Sequence, residues 1–304
     1  MTPTPGAAPA GAAAETPAEA PAAGPPVVVG SLSPSRAADF MTCPLRYRFR
    51  VVDRLPEPPS PAATRGTVVH AVLERLFDLP PARRTPPAAA ALVEPEWARA
   101  VEREPALSGM FADGSELRAW LASARELLEG YFALEDPSRL RPAARELYVE
   151  HVLDSGLRLR GYLDRLDAAG DALRVVDYKT GRSPGAAFEA DAMFQMKFYG
   201  LLLWRTRRVV PRELRLYYLG DRAWLRYVPD EADLLATERK LRALWGAIER
   251  AYHTGDWRAR PSRLCDWCDH QTRCPAFGGT PPPVPRTDPV VLDEPAPAVC
   301  EAEG

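Results

Sequence analysis

Gly161-Tyr162-Leu163-Asp164 and, one turn later, Val175-Val176-Asp177-Tyr178-Lys179-Thr180-Gly181 are the stretches on which the reading of this chain depends. Asp164 ends an alternating run from Leu157 to Leu163, and Asp177 ends an apolar run from Leu173 to Val176, with Ala168 to Asp171 as a turn between them. The pattern predicts a hairpin that brings both acids to one end of a sheet, with Lys179 on the same face as Asp177. Two carboxylates are hard oxygen donors suited to Mg²⁺ or Mn²⁺. A cation held there would polarise a phosphoryl group and lower the pKa of a bound water, while Lys179 would orient that water or offset charge on the phosphate. This is equipment for cleaving a phosphodiester.

The motif alone leaves a second reading open, in which the acids are turn residues and Lys179 is solvated surface. Composition weighs against it. Of 39 basic residues only Lys179, Lys197 and Lys240 are lysines, so arginine serves almost wherever a positive charge suffices. Arginine stays protonated and cannot take a proton-coupled role, whereas a lysine's pKa can be tuned.

These residues resemble the RecB-like branch of the PD-(D/E)XK nuclease superfamily, which includes nuclease domains of recombination helicase-nucleases and CRISPR-associated exonucleases. The resemblance runs from about Ser31 to Phe277. It implies an α/β, restriction-endonuclease-like mixed sheet flanked by helices, and a metal site completed by a histidine on an early helix. Gly66-Thr67-Val68-Val69-His70 fits that segment, which makes His70 the third protein ligand beside Asp164 and Asp177. The backbone carbonyl of Tyr178 is implied as a further ligand, and Lys179 as the catalytic lysine. A glutamine and a tyrosine are implied on the next helix, and Gln195 and Tyr199 stand at i and i+4, on one helical face. Each has a plainer reading: His70 as a packed core residue, Tyr199 as helix packing. Their order along the chain is what joins them. Glu74, one turn beyond His70, is either its outer partner or a surface acid, and Glu150, beside His151, takes a minor supporting role.

Cysteine spacing makes a second argument. Cys265-Asp266-Trp267-Cys268 and Cys274 form a C-x₂-C-x₅-C group, and Cys43 lies more than two hundred residues upstream. Four thiolates suit a single tetrahedral Zn²⁺ or an iron-sulfur cluster, and local spacing does not choose between them. The family resemblance implies a [4Fe-4S] cluster with one early and three late cysteines, structural rather than redox, clamping the N-terminal helix to the segment 262–277. Disulfides are disfavoured, since no signal peptide precedes the domain and a cytoplasmic location is expected. Cys300 has no partner in the pattern.

With 304 residues and 46% hydrophobic content, the chain can bury one core of somewhat over two hundred residues. Residues 1–28, rich in Ala and Pro, and the acidic segment 279–304 read as disordered tails around a domain at 29–278. No apolar run approaches membrane-spanning length. The net charge of −2 hides basic runs: Arg46, Arg48 and Arg50; Arg205, Arg207 and Arg208; Arg258, Arg260 and Arg263. If they converge, they make a phosphate track with Tyr47, Phe49, Trp257 or Trp267 available for base stacking; taken singly, each is a solvated helix face.

The predicted layout has helices through Cys43, from Gly66 to Phe77, Ala88 to Arg103, Ser115 to Leu134, Met193 to Trp204 and Asp230 to Tyr252. Strands are expected at 146–153, 157–166, 173–178, 213–219 and 223–228, and the helical insert at 80–140 is read as an arch over the site. The expected activity is a metal-dependent DNA exonuclease acting on single strands or duplex ends, in repair or recombination. With no Walker-type G-x-x-x-x-G-K sequence, any helicase motor is a separate protein. The alternatives are a catalytically weak adaptor for DNA ends and a zinc-stabilised interaction protein.

Overall fold

The computed structural model describes residues 1, 28–185, 189–285 and 290–292; the expected tail up to residue 27 and Cys300 lie outside them. Short polar residues start the helices. Ser33, Ser60 and Thr85 each accept the N–H of the residue three places on, ahead of Pro34, Pro61 and Pro86, and so begin α1 (Pro34–Thr42), α3 (Pro61–Leu76) and α4 (Pro86–Arg103). Asp113 and Asp230 do the same for α5 (Gly114–Leu134) and α7 (Glu231–Thr254). A short helix, α2 (Pro44–Tyr47), follows α1 directly after Cys43.

One mixed sheet of seven strands runs β6-β5-β4-β3-β1-β7, with β2 paired on β3. The strands are β1 (Val28–Leu32), β2 (Pro142–Val152), β3 (Arg158–Ala169), β4 (Ala172–Lys179), β5 (Glu213–Tyr218), β6 (Ala223–Tyr227) and β7 (Val290–Leu292). The predicted hairpin is β3-β4, antiparallel, and β4 pairs parallel with β5 through the crossover helix α6 (Glu189–Arg207). Two strands escaped the sequence reading. β1 runs parallel to both β3 and β7, so residues 290–292 of the expected acidic tail belong to the sheet.

Helices cover both faces. On one, Phe40, Phe198, Leu202, Leu241 and Ile248 of α1, α6 and α7 join Leu159, Leu163, Leu166 and Val175 of the sheet in one apolar cluster. On the other, Val72, Val93, Leu128 and Tyr131 of α3, α4 and α5 cover Val176, Tyr178 and Tyr217. The segment 80–140, expected as an arch over the site, packs on this sheet face, and its Arg103 lines the hollow that holds His70 and Glu146. It is the layer without which that sheet face would meet water.

Two features of β3 create a site. Its edge pairs with β1 at residues 158–159 and with β4 at 165–169, leaving 160–164 without a paired strand on that side among the described residues. Its alternation also slips, because Leu163 and Leu166 enter the same apolar cluster although they differ in parity. The slip falls on Asp164 and Arg165. Directly across, on β2, Glu146 lies between the pairs Arg145↔Arg165 and Leu147↔Leu163 and carries a positive φ of 43°. A side chain with a Cβ pays roughly 1–3 kcal/mol for such a backbone, and strain of this kind gathers at functional positions.

Candidate active site

The last β3-β4 pair is Arg165↔Val176, so one step further Asp164 and Asp177 flank the point where the strands part. Asp164 bridges that point: its Oδ2 accepts the backbone N–H of Tyr178 at 2.6 Å, and its Oδ1 lies 3.4 Å from Nδ1 of His70 on α3. Ligand atoms of His70, Glu146 and Asp164 all come within 4.8 Å of one another, the one such trio of His, Cys, Asp or Glu among the described residues. Glu74 lines the same hollow as His70 and Glu146.

Asp177 is 2% exposed and sits outside that trio. Its Oδ2 lies 2.7 Å from Lys179 Nζ, and its Oδ1 accepts from Gln195 Nε2 at 3.0 Å. Lys179 also donates to Gln195 Oε1 at 2.8 Å, and Gln195 Nε2 reaches the Tyr199 hydroxyl at 3.1 Å. Gln195 thus holds acid and lysine together, as the i, i+4 spacing on α6 anticipates. Gly161 is required beside it: a Cβ there would lie 2.8 Å from the Tyr199 ring.

Charge crowding shifts these groups. Burial pushes the Asp177 carboxyl up to about 6, with Lys179 opposing. Burial also raises Glu146, to about 7, helped by the Asp164 charge. For His70 burial works downward, but the charge of Asp164 and its hydrogen bond outweigh it and bring the imidazole up to about 9. Burial likewise works to lower Lys179, and Asp177 overturns it, so the ammonium is retained. The centre holds too much negative charge for its burial unless a proton or a cation shares it.

A model of the PD-(D/E)XK nuclease superfamily matches residues 31–275. The chain belongs to that superfamily. Among its relatives is the Gene 69 protein of Mycobacterium phage D29, 26% identical over an alignment of 275 residues that covers 81% of this chain and 96% of that protein. The Gene 69 protein of Mycobacterium phage L5 is 29% identical over 125 residues, covering 40% of this chain and only 41% of the phage protein. A crystal structure from Eubacterium rectale, provisionally named an exonuclease, superposes with a TM-score of 0.51 at 13% identity, over 79% of this chain and 87% of its own, a likeness of fold. Membership in the superfamily supplies the coarse activity, nuclease with a divalent metal.

Within this PD-(D/E)XK nuclease the structure brings Glu146 beside His70 and Asp164 and leaves Glu150 outside that trio. Glu150 is exposed and accepts the Tyr148 hydroxyl at 2.7 Å. The signal for Glu146 was its place opposite Asp164, legible only after β2 is aligned with β3.

The proposed stacking track does not form. Tyr47, Phe49 and Trp257 are buried in the core, Tyr47 stacked on Trp257, and only Trp267, 77% exposed, faces solvent. Five arginines of the basic runs find acids instead: Arg46 and Arg50 meet Asp39, Arg48 meets Asp53, Arg205 meets Glu238 and Arg258 meets Asp256. Cys43, Cys265, Cys268 and Cys274 are free thiols that line one largely apolar hollow between α1 and the C-terminal segment. No helix among the described residues is long and apolar enough to cross a membrane.

Proposed function

We propose that this chain is a divalent-metal DNA exonuclease of the RecB-like branch, acting on single strands or strand ends in repair or recombination. The observation that carries the reading is the pairing of the His70, Glu146 and Asp164 trio with a Lys179 fixed between Asp177 and Gln195. The donor set fits Mn²⁺ or Mg²⁺, being rich in carboxylate oxygen with one imidazole. His70, Asp164 and Glu146 would hold the ion, with Asp177 across the strand gap. Leu219 N–H bonds the Lys179 carbonyl toward β5, so strand alternation turns the Tyr178 carbonyl toward the gap, as a further ligand requires. A cation at this place supplies Lewis-acid polarisation of the phosphoryl oxygens.

The protein's own groups do the remainder. Lys179 presents its ammonium to the open cleft beside Asp177, where it offsets charge on the phosphate and orients the attacking water. Gln195 and Tyr199 keep that ammonium in place. Anaerobically purified protein is expected to degrade labelled single strands with Mn²⁺ or Mg²⁺, and strands labelled at either end report direction. Binding with no cleavage under any divalent ion would support the adaptor reading in its place.

Metal binding should release protons. With the imidazole held up to about 9, His70 is protonated at neutral pH and must lose its proton to become a ligand. Glu146, up to about 7, adds part of a second proton near neutrality. Apparent Mn²⁺ affinity is therefore expected to rise about tenfold per pH unit from 7.5 to 8.5 and to level off above 9. Calorimetry in two buffers of different ionisation enthalpy checks it: about one proton per Mn²⁺ is expected at pH 8, and none would remove His70 from the ligand set.

For the four cysteines we favour a [4Fe-4S] cluster over Zn²⁺. The one early and three late cysteines line a single hollow, the layout that the RecB-like resemblance implies for a cluster. Backbone N–H groups of Arg260 and Ser262 point to Cys43 Sγ and Cys265 Sγ, at 3.5 and 3.3 Å, as hydrogen bonds to cluster sulfur require. Anaerobic protein is expected to carry about four irons per chain with broad visible absorbance that Cys43→Ser removes; stoichiometric zinc and no colour would reverse the assignment.

A further inference from the structure

Lys179, Gln195 and Tyr199 line a cleft of about 1070 Å³ together with a wall made by Tyr148, Arg160 and Tyr162. No role in metal binding falls to that wall. It is built by the cross-strand pair Tyr148↔Tyr162, whose ring centroids lie 5.2 Å apart at 52°. The two tyrosines differ. Tyr148 is half-buried and its hydroxyl is tied to Glu150 Oε2 at 2.7 Å, so its ring is fixed. Tyr162 is 40% exposed, two residues before Asp164 on the same strand, and leans on that fixed ring.

We propose that Tyr162, braced by Tyr148, is the stacking platform for an unpaired base of the strand whose phosphate is cut. The inference rests on the nuclease reading above and adds to it the residue that selects unpaired strands. A base inside a duplex has both faces covered by its neighbours, so an aromatic ring on the cleft wall gains only from a base that has left the stack. The arrangement has three needed properties. The ring is exposed, its brace prevents it from folding away, and the ammonium of Lys179 on the same cleft suits the strand's phosphate. Stacking on a ring is tolerant of base identity, so the device selects strandedness and not sequence. It also takes the place of the Tyr47, Phe49 and Trp257 track, whose rings lie in the core.

An exposed cross-strand tyrosine pair also stabilises a sheet, and the test separates the two roles. Binding of a fluorescein-labelled oligothymidylate to the full chain is measured by anisotropy with Ca²⁺ present, beside the same strand carrying abasic residues and a blunt duplex. Tyr162→Ala is expected to weaken oligothymidylate binding about tenfold or more, and Tyr162→Trp to retain it. On the abasic strand and the duplex, wild type and Tyr162→Ala should bind alike. Equal affinity of wild type and Tyr162→Ala for oligothymidylate overturns the proposal, as does an equal loss on the abasic strand. Because binding is read without turnover, a chain that stacks the strand but never cuts it would sustain this inference while removing the nuclease reading.

Discussion

Asp177→Asn is expected to lower strand cleavage by about 10³-fold or more while leaving the fold intact. The carboxylate is almost wholly buried and receives Lys179 on one oxygen and Gln195 on the other. Asparagine preserves the shape and removes the charge, so two things fail together: the cation loses a neighbouring acid, and Lys179 loses the partner that retains its proton. Burial already works against the Asp177 charge, so its removal costs the fold little, and the melting temperature should stay within about 5 °C. Lys179→Arg should be as severe. A guanidinium fork cannot occupy the point between Asp177 Oδ2 and Gln195 Oε1 that the ammonium fills, and it does not exchange protons. The readout is kcat with Mn²⁺ together with a Mn²⁺ titration. Less than a tenfold loss for both variants, with metal binding retained, would mean that this hairpin is not the cleaving centre.

Much of that centre was legible because it is local. The two acids and Lys179 lie within a sixteen-residue span of the β3-β4 hairpin, and Gln195 and Tyr199 share one helix face. His70 is distant in sequence but was found through the family's order of residues. What stayed hidden depends on long-range pairing. β1 follows an Ala/Pro-rich stretch and is a strand only because β3 and β7 lie beside it. Glu146 reaches the trio because its backbone takes a positive φ inside a strand, a choice that no spacing records. Tyr47 and Phe49 misled for the opposite reason. Their arginine neighbours looked like a phosphate track, whereas a short α-helix followed by a π-helical turn, residues 44–52, buries both rings and pairs Arg48 with Asp53. The slip of alternation between Leu163 and Leu166 was in the sequence all along, and it falls on β3 where a regular pleat would have faced Asp164 and Leu166 the same way.

The second large effect is expected one residue from the site. Arg165→Ala should destabilise the protein by about 3–5 kcal/mol, roughly 10 °C or more in melting temperature. Arg165 is 1% exposed and binds the Glu135 carboxylate at the end of α5, Asp167 Oδ2 at 3.1 Å and the Tyr178 hydroxyl at 2.7 Å. Tyr217 donates to the same Glu135 carboxylate at 2.9 Å. Without the guanidinium, Glu135 is a buried anion with hydroxyl partners alone. Burial works to raise its pKa, and hydrogen bonding and charge from Arg165 turn the balance to below the ordinary value. In wild type this carboxylate therefore adds stability above the unfolded pKa, lost as pH falls through the lowered folded value. The variant's deficit should thus be largest near neutral pH and shrink toward acid, where Glu135 takes up a proton. Denaturant melts at pH 7 and pH 4.5 test this, and a deficit independent of pH would show lost packing as the cause. Arg165→Met with Glu135→Leu should recover most of the stability, since an apolar pair of similar volume carries no desolvation cost. Activity need not return with it. Arg165 holds the Tyr178 side chain, and the Tyr178 N–H holds Asp164, so cleavage should stay depressed in the restabilised double variant if the ion pair also positions the acid.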